Sequence, residues 1–170
     1  MEFLLSVLCM VSRTFLLPDN RGEVVFVCDV LQHMYHHAQT RFWHKEAGGQ
    51  LFSKVPHQSS VILSVATGPY PKDSRSRHNF IPDLPLATSD RHIQFKLGKH
   101  AVGLWHTHPE AFPSPSIQDY NTTREYLEAF NGMMDSFLLV ILGNYGDPLN
   151  MVVWMATMKP IGAWNQLKEI

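Results

Sequence analysis

The sequence predicts a mixed α/β domain whose sheet is largely buried, and three observations predict it. Runs rich in β-branched and aromatic residues, such as "GEVVFVC", "VILSVAT" and "FLLVILG", recur along the chain with the length of strands. Segments with apolar residues at helical spacing lie between them. No repeat, low-complexity tract or linker divides the 170 residues, a length that suits one domain and buries roughly 70% of its unfolded surface.

The opening run "MEFLLSVLCMV" is apolar but carries Glu2 where a signal peptide is positive, and it is too short to span a bilayer. It reads as a buried first strand or helix. "GEVVFVC" follows as a strand, and Asp29 can then cap a helix whose apolar stripe is Leu31, Met34, Tyr35 and Ala38. "GGQLFSKV" and "VILSVAT" read as consecutive strands. Residues 68–90 hold four prolines and mixed charge, the marks of a long loop or insertion. Ile93, Phe95 and Leu97 alternate as in a half-exposed strand, and "HAVGLW" is a further strand. Ser114 and Pro115 signal the start of a helix that would bury Tyr120, Leu127 and Phe130. "FLLVILG" and "NMVVWMA", divided by the turn "NYGDP", close the sheet.

Composition narrows the function. Apolar residues make up 45% and charged residues 17%, as in soluble globular proteins, and the net charge of -1 gives no electrostatic case for nucleic acid or an anionic membrane. Two cysteines, Cys9 and Cys28, are too few for a disulfide framework or a thiolate zinc knuckle, which fits a reduced, cytoplasmic setting.

One stretch interrupts the apolar pattern: "GLWHTHPEAFPSPSIQDY". On a strand, residues i and i+2 point the same way, so His106 and His108 share a face at the strand's end. Asp119 falls in the first turns of the next helix, which the Pro-Ser-Pro turn can fold back toward them. Two imidazoles and a carboxylate leave a fourth position for water, which is the arrangement of a catalytic rather than a structural zinc. Such a metal brings the pKa of its water toward about 7. Ser116 lies on the same side of the helix as Asp119, and its hydroxyl could donate to an oxyanion.

"HTHPEAFPSPSIQD" also resembles the JAMM signature of the JAB1/MPN/Mov34 metalloprotease family, matching it without a gap through His106, His108, Ser116 and Asp119. The family needs a glutamate upstream on a strand that opens with small residues, and "HKEAGGQLF" is similar to that element. Acidity alone does not separate Glu46 from Glu23 or Glu110; the resemblance selects Glu46. It implies a JAB1/MPN-type fold over 1–170, with zinc on His106, His108 and Asp119. Glu46 would serve as the base that later acts as acid in cleaving an amide or isopeptide bond, and Ser116 would steady the oxyanion. "ATGPYPKDSRSRHNFIPD" together with the signature is similar to small bacterial JAMM proteins encoded beside ubiquitin-like conjugation enzymes in anti-phage operons of the CBASS type. This implies an isopeptidase that releases a cyclase tail or a ubiquitin-like modifier joined to targets by E1/E2-like enzymes. The family insertion grips the substrate tail, which makes Lys72, Arg75, Arg77 and Phe80 candidates for that contact beside the bland reading of a solvated loop.

The remaining signals are weaker. His33 and His37 have i,i+4 spacing but no glutamate between them, and the apolar stripe of their helix leaves them on or near the outer face. His44 could help form the site's rim, and Trp105 reads as core. Two other function classes stay open: a non-catalytic MPN-type binding module, and a peptidoglycan or phage-tail peptidase of the same superfamily. The full set of five signature residues weighs against the first, and the lack of an export signal against the second.

Overall fold

The computed structural model describes residues 11–158 and 163–170, so the opening apolar run lies, up to residue 10, outside the described residues. The chain folds as α+β, as the sequence predicts, and the described residues form a nine-stranded mixed sheet. The elements run β1 (Arg13–Leu16), β2 (Glu23–Phe26), α1 (Cys28–His36), β3 (Gly48–Ser53), β4 (Ser60–Ala66), β5 (Ser74–Arg75) and β6 (Phe80–Ile81). They continue with α2 (Leu84–Lys96), β7 (His100–Thr107), α3 (Ile117–Ala129), β8 (Ser136–Gly146), β9 (Leu149–Thr157), β10 (Ala163–Gln166) and β11 (Lys168–Glu169). The strand order is β10-β9-β8-β7-β3-β4-β2-β1-β11, and β5-β6 form a separate small hairpin. The β2–β4 and β7–β8 pairs are parallel, and the other pairs are antiparallel.

Alternation along the central strands sorts the core onto two faces. Leu138, Val140 and Leu142 of β8 join Met151, Val153 and Met155 of β9 in the larger cluster, where α1 contributes Val30, Leu31 and Met34. The intervening Phe137 and Ala156 point the other way and pack with Leu127 of α3. In β7 the same alternation sends Trp105 into the larger cluster, while Leu104 packs on the α3 side. His106, two residues on from Leu104, therefore emerges on the α3 side.

The structure differs from the sequence reading in several elements. Ile93, Phe95 and Leu97 do not alternate on a strand; Ile93 and Phe95 lie in α2 and Leu97 is its C-cap, and all three are exposed. Asp83 starts that helix by accepting a hydrogen bond from the Leu86 N–H at 2.9 Å, with Pro85 in the first turn, and Gly98 leaves it at φ 72°. The insertion is thus a loop and hairpin only as far as Asp83. Asp29 does not cap α1, because Val27 holds that position without a side-chain bond. The cap of α3 is Ser116 rather than Ser114. The strands "FLLVILG" and "NMVVWMA" are not the last of the sheet: β10 lies outside β9. Cys28, at the head of α1, is not a free thiol, so it lends no support to a reduced setting. Among the described residues, no helix is long and apolar enough to cross a membrane.

Candidate metal centre and catalytic cleft

The antiparallel pairing of β3 with β7 sets Gly48 opposite His106 and so brings the two halves of the site together. Glycine is required in this register. A Cβ on Gly49 would sit 1.7 Å from the Thr67 carbonyl oxygen, and one on Gly48 would sit 2.7 Å from the Trp105 oxygen. Gly48 therefore lets the chain carrying Glu46 run against β7 without a clash, and Gly49 lets it pass the Thr67 carbonyl that follows β4. Thr107, fully buried between the histidines, secures that contact. Its N–H donates to the Ala47 carbonyl at 2.8 Å, its hydroxyl accepts from the Ala47 N–H at 3.0 Å and donates to Gln39 Oε1 at 3.1 Å. The Glu46 N–H donates to the Ser76 carbonyl at 2.7 Å, and the Arg75 guanidinium donates to the Glu46 carbonyl.

On the other side of the site, α3 starts with a reciprocal cap. The Asp119 N–H donates to Ser116 Oγ at 3.2 Å, and the Ser116 N–H donates to Asp119 Oδ2 at 2.7 Å. The cap aims the Asp119 carboxylate at the histidines. Ser116 Oγ uses a lone pair in this bond, so its own hydrogen remains available for a ligand.

The ligand atoms converge. His106 Nε2 lies 2.9 Å from His108 Nε2 and 3.3 Å from Asp119 Oδ1, and His108 Nε2 lies 3.7 Å from Asp119 Oδ2. Tetrahedral zinc, with bonds of about 2.0–2.1 Å, holds its ligands about 3.3 Å apart, and these separations, two of them to different oxygens of Asp119, lie around that value. The three groups together form a set that can hold a metal ion. Two imidazole nitrogens and one carboxylate oxygen are also the donor chemistry that zinc takes in open sites. The residues fit the metal that the signature implies.

The charges agree with this arrangement. Burial raises the Asp119 carboxyl, but the bonds from His106 and from Ser116 outweigh it and hold the group at about 2. The His108 ring is pushed down by burial and by neighbouring His106, which keeps its nitrogen unprotonated and able to ligate. Glu46 is buried and reaches to 3.9 Å from His108 Nε2. Burial pushes its pKa up to about 7; His106 opposes this, while Asp119 and Glu110 add to it. A carboxyl at that value can both take and return a proton near neutrality.

Glu46, His106, His108, Ser116 and Asp119 all line one cleft of about 570 Å3. Of the residues read as gripping a substrate tail, Phe80 also lines it, whereas Lys72, Arg75 and Arg77 do not. Arg75 holds the Glu46 carbonyl, and Arg77 donates to the Phe42 carbonyl at 2.7 Å. His33 and His37 are not on the outer face: both pack on Trp105, with ring centroids 5.6 and 5.9 Å away, and His33 Nε2 donates to the Gly68 carbonyl at 2.6 Å. His44 points to the Ala38 carbonyl at 3.0 Å and does not line the cleft. Sequence reasoning missed Gln39 and Thr107. Only the position of Thr107 between two candidate ligands signalled a role for it, and nothing marked Gln39.

Fold and site together define a JAB-type domain with a His-His-Asp cluster at its cleft. The family of prokaryotic homologs of the JAB domain matches residues 28–157, and the chain belongs to that family. It is similar to the CD-NTase/cGAS isopeptidase of Enterobacter hormaechei, with 29% identity over 127 residues covering 74% of this chain and 69% of the relative. It is also similar to the CD-NTase/cGAS isopeptidase of Pseudomonas aeruginosa, with 32% identity over 109 residues covering 59% of this chain and 65% of that protein. Among solved structures, a Desulfitobacterium hafniense protein determined in solution superposes with a TM-score of 0.55 at 16% identity, covering 81% of this chain and 82% of its own, a likeness of fold alone.

Proposed function

We propose that this protein is a zinc-dependent isopeptidase that detaches a C-terminal tail, that of a cyclase or of a ubiquitin-like protein, from the proteins to which E1/E2-like enzymes of the same operon have joined it. It would act in the cytoplasm as part of anti-phage defence, as one domain over 1–170 with residues 68–90 on the substrate side. The observation that carries this reading is the buried Glu46 carboxylate facing the His106, His108 and Asp119 cluster across one cleft. The names of the relatives, CD-NTase/cGAS isopeptidases, support the same class of bond.

His106, His108 and Asp119 would hold the zinc, which acidifies water and polarises a carbonyl when bound. Each residue of the chain then has a task. Glu46, titrating near neutrality because it is buried, accepts a proton from the attacking water and returns it to the departing lysine amine. Ser116 turns its free O–H toward the oxygen that gains charge as the carbonyl becomes tetrahedral. Thr107, Gln39 and Arg75 touch no substrate; they fix the backbone that carries Glu46.

The test is incubation of tail–target conjugates, formed by the cognate E1/E2-like enzymes, with native, chelator-treated and zinc-restored protein. Cleavage by the native and restored samples alone supports the reading. Equal cleavage in all three would remove the metal from it. Intact conjugates with a protein that carries zinc would leave the non-catalytic binding module as the better account.

A further inference from the structure

The cleft does not end at the ligands but runs on along the sheet between two helices. Both helices begin at the site: Leu84 opens α2 and Asp119 lies in the first turn of α3, and both line the cleft. Farther along, the walls are Ala87 on one side and Thr122 and Tyr126 on the other, and the floor is Leu104 and Leu139. Gln50, paired with Leu104 on the floor, ties α2 to the sheet by donating to the Ala87 carbonyl at 2.9 Å. That bond holds the wall at a fixed height, because a carbonyl can meet only the amide's N–H side. The trough is then bridged. Arg91 of α2 lies over the Tyr126 ring of α3, with its guanidinium carbon 5.2 Å from the centroid. Tyr126 is itself stacked on buried Phe137, with an interplanar angle of 19° and centroids 5.8 Å apart, so the bridge rests on the core.

The spacing sets a length. Asp119 to Tyr126 is seven helical residues, or about 10 Å at 1.5 Å per residue, and an extended chain covers that in about three residues. We infer that the Arg91–Tyr126 bridge bounds the acyl side of the cleft, so that three residues of an extended tail lie on the apolar floor and the fourth turns out to solvent. This rests on the isopeptidase reading for its polarity: a walled trough suits a backbone bearing side chains, whereas the amine side is a single lysine stem entering from solvent. It predicts a tail whose third residue from the scissile bond is apolar, because that side chain meets Leu104, Leu139 and Tyr126.

The experiment is calorimetric binding of N-acetylated tail peptides of two to six residues, with leucine third from the C-terminus, to the zinc-loaded protein. Cleavage of the matching lysine isopeptides is followed in parallel. Binding should tighten by about tenfold on adding the third residue, the effect of burying one apolar side chain. It should change less than about twofold beyond it. Aspartate at the third position should remove the gain. In Arg91→Ala, which touches neither ligands nor Glu46, the fourth residue should tighten binding as well. Affinity that climbs steadily to six residues, or no binding at any length, overturns the boundary. Binding that levels off at three with no cleavage keeps the boundary and removes the isopeptidase activity instead.

Discussion

Thr107 stands between the two histidines of the candidate metal site yet faces away from the cleft, and its hydroxyl both accepts from Ala47 and donates to Gln39 inside the core. Thr107→Val keeps the shape and strands two buried polar groups, which costs about 1–3 kcal/mol. We expect kcat to fall with KM and zinc content unchanged, and Thr107→Ser to recover most of the loss; a changed zinc content would place the residue in the ligand shell instead. His37 supplies a test of a different kind. Burial, and after it the neighbouring His33, His36 and Arg75, hold its pKa down at about 4 against an ordinary 6.5. The folded form therefore resists a proton that the unfolded chain accepts, so stability is full above about 6.5 and declines as pH falls toward 4. His37→Phe retains the ring against Trp105 and removes this titration. The loss of urea midpoint between pH 7 and pH 5 should be smaller in the variant, and an equal loss in both would show that His37 does not carry it.

At the scale of the element, α3 joins structure to chemistry through one residue. Ser116 is both the N-cap, accepting from Asp119, and a hydroxyl that lines the cleft. Ser116→Ala should lower stability by about 0.5–2 kcal/mol and also lower turnover. Ser116→Asp can still cap but has no hydrogen to donate, so it should restore the melting temperature without restoring turnover. Recovery of both by aspartate would show that only the cap matters. The patterns H-x-H and S-x-x-D were legible, and with them four of the five residues that the structure gathers at the cleft. The helix start was placed two residues early because "PSPS" offers two serines with equal claims, and only the geometry of the carboxylate chooses Ser116. Helix α2 was not legible. Its face toward the sheet buries little beyond Ala87, so no apolar stripe marks it, and Ile93, Phe95 and Leu97 alternate on an exposed surface where alternation reports nothing about burial. Glu46 was not legible from chemistry either. It is buried beside β7, where Gly48 lies against the Trp105 carbonyl, a tertiary fact that only the family signature anticipated.

At the scale of the whole molecule, the site joins pieces distant in sequence: the chain entering β3, the end of β7 and the start of α3. A metal bound there cross-links them in the folded state alone. At a hundredfold excess over its dissociation constant, zinc adds about 2.7 kcal/mol, which for a domain of this size raises the melting temperature by about 5–10 °C. Chelation should reverse the shift in the native protein but not in His106→Ala, and an equal effect on both would place the bound metal elsewhere. Proton transfer by Glu46 is a sharper proposal than metal binding. The most direct measurement is therefore cleavage of a tail–lysine isopeptide by native protein and by Glu46→Ala, with zinc counted in both. One zinc is expected in each, with a rate lower by about 10²–10⁴ in the variant. Turnover that survives in zinc-loaded Glu46→Ala would contradict it.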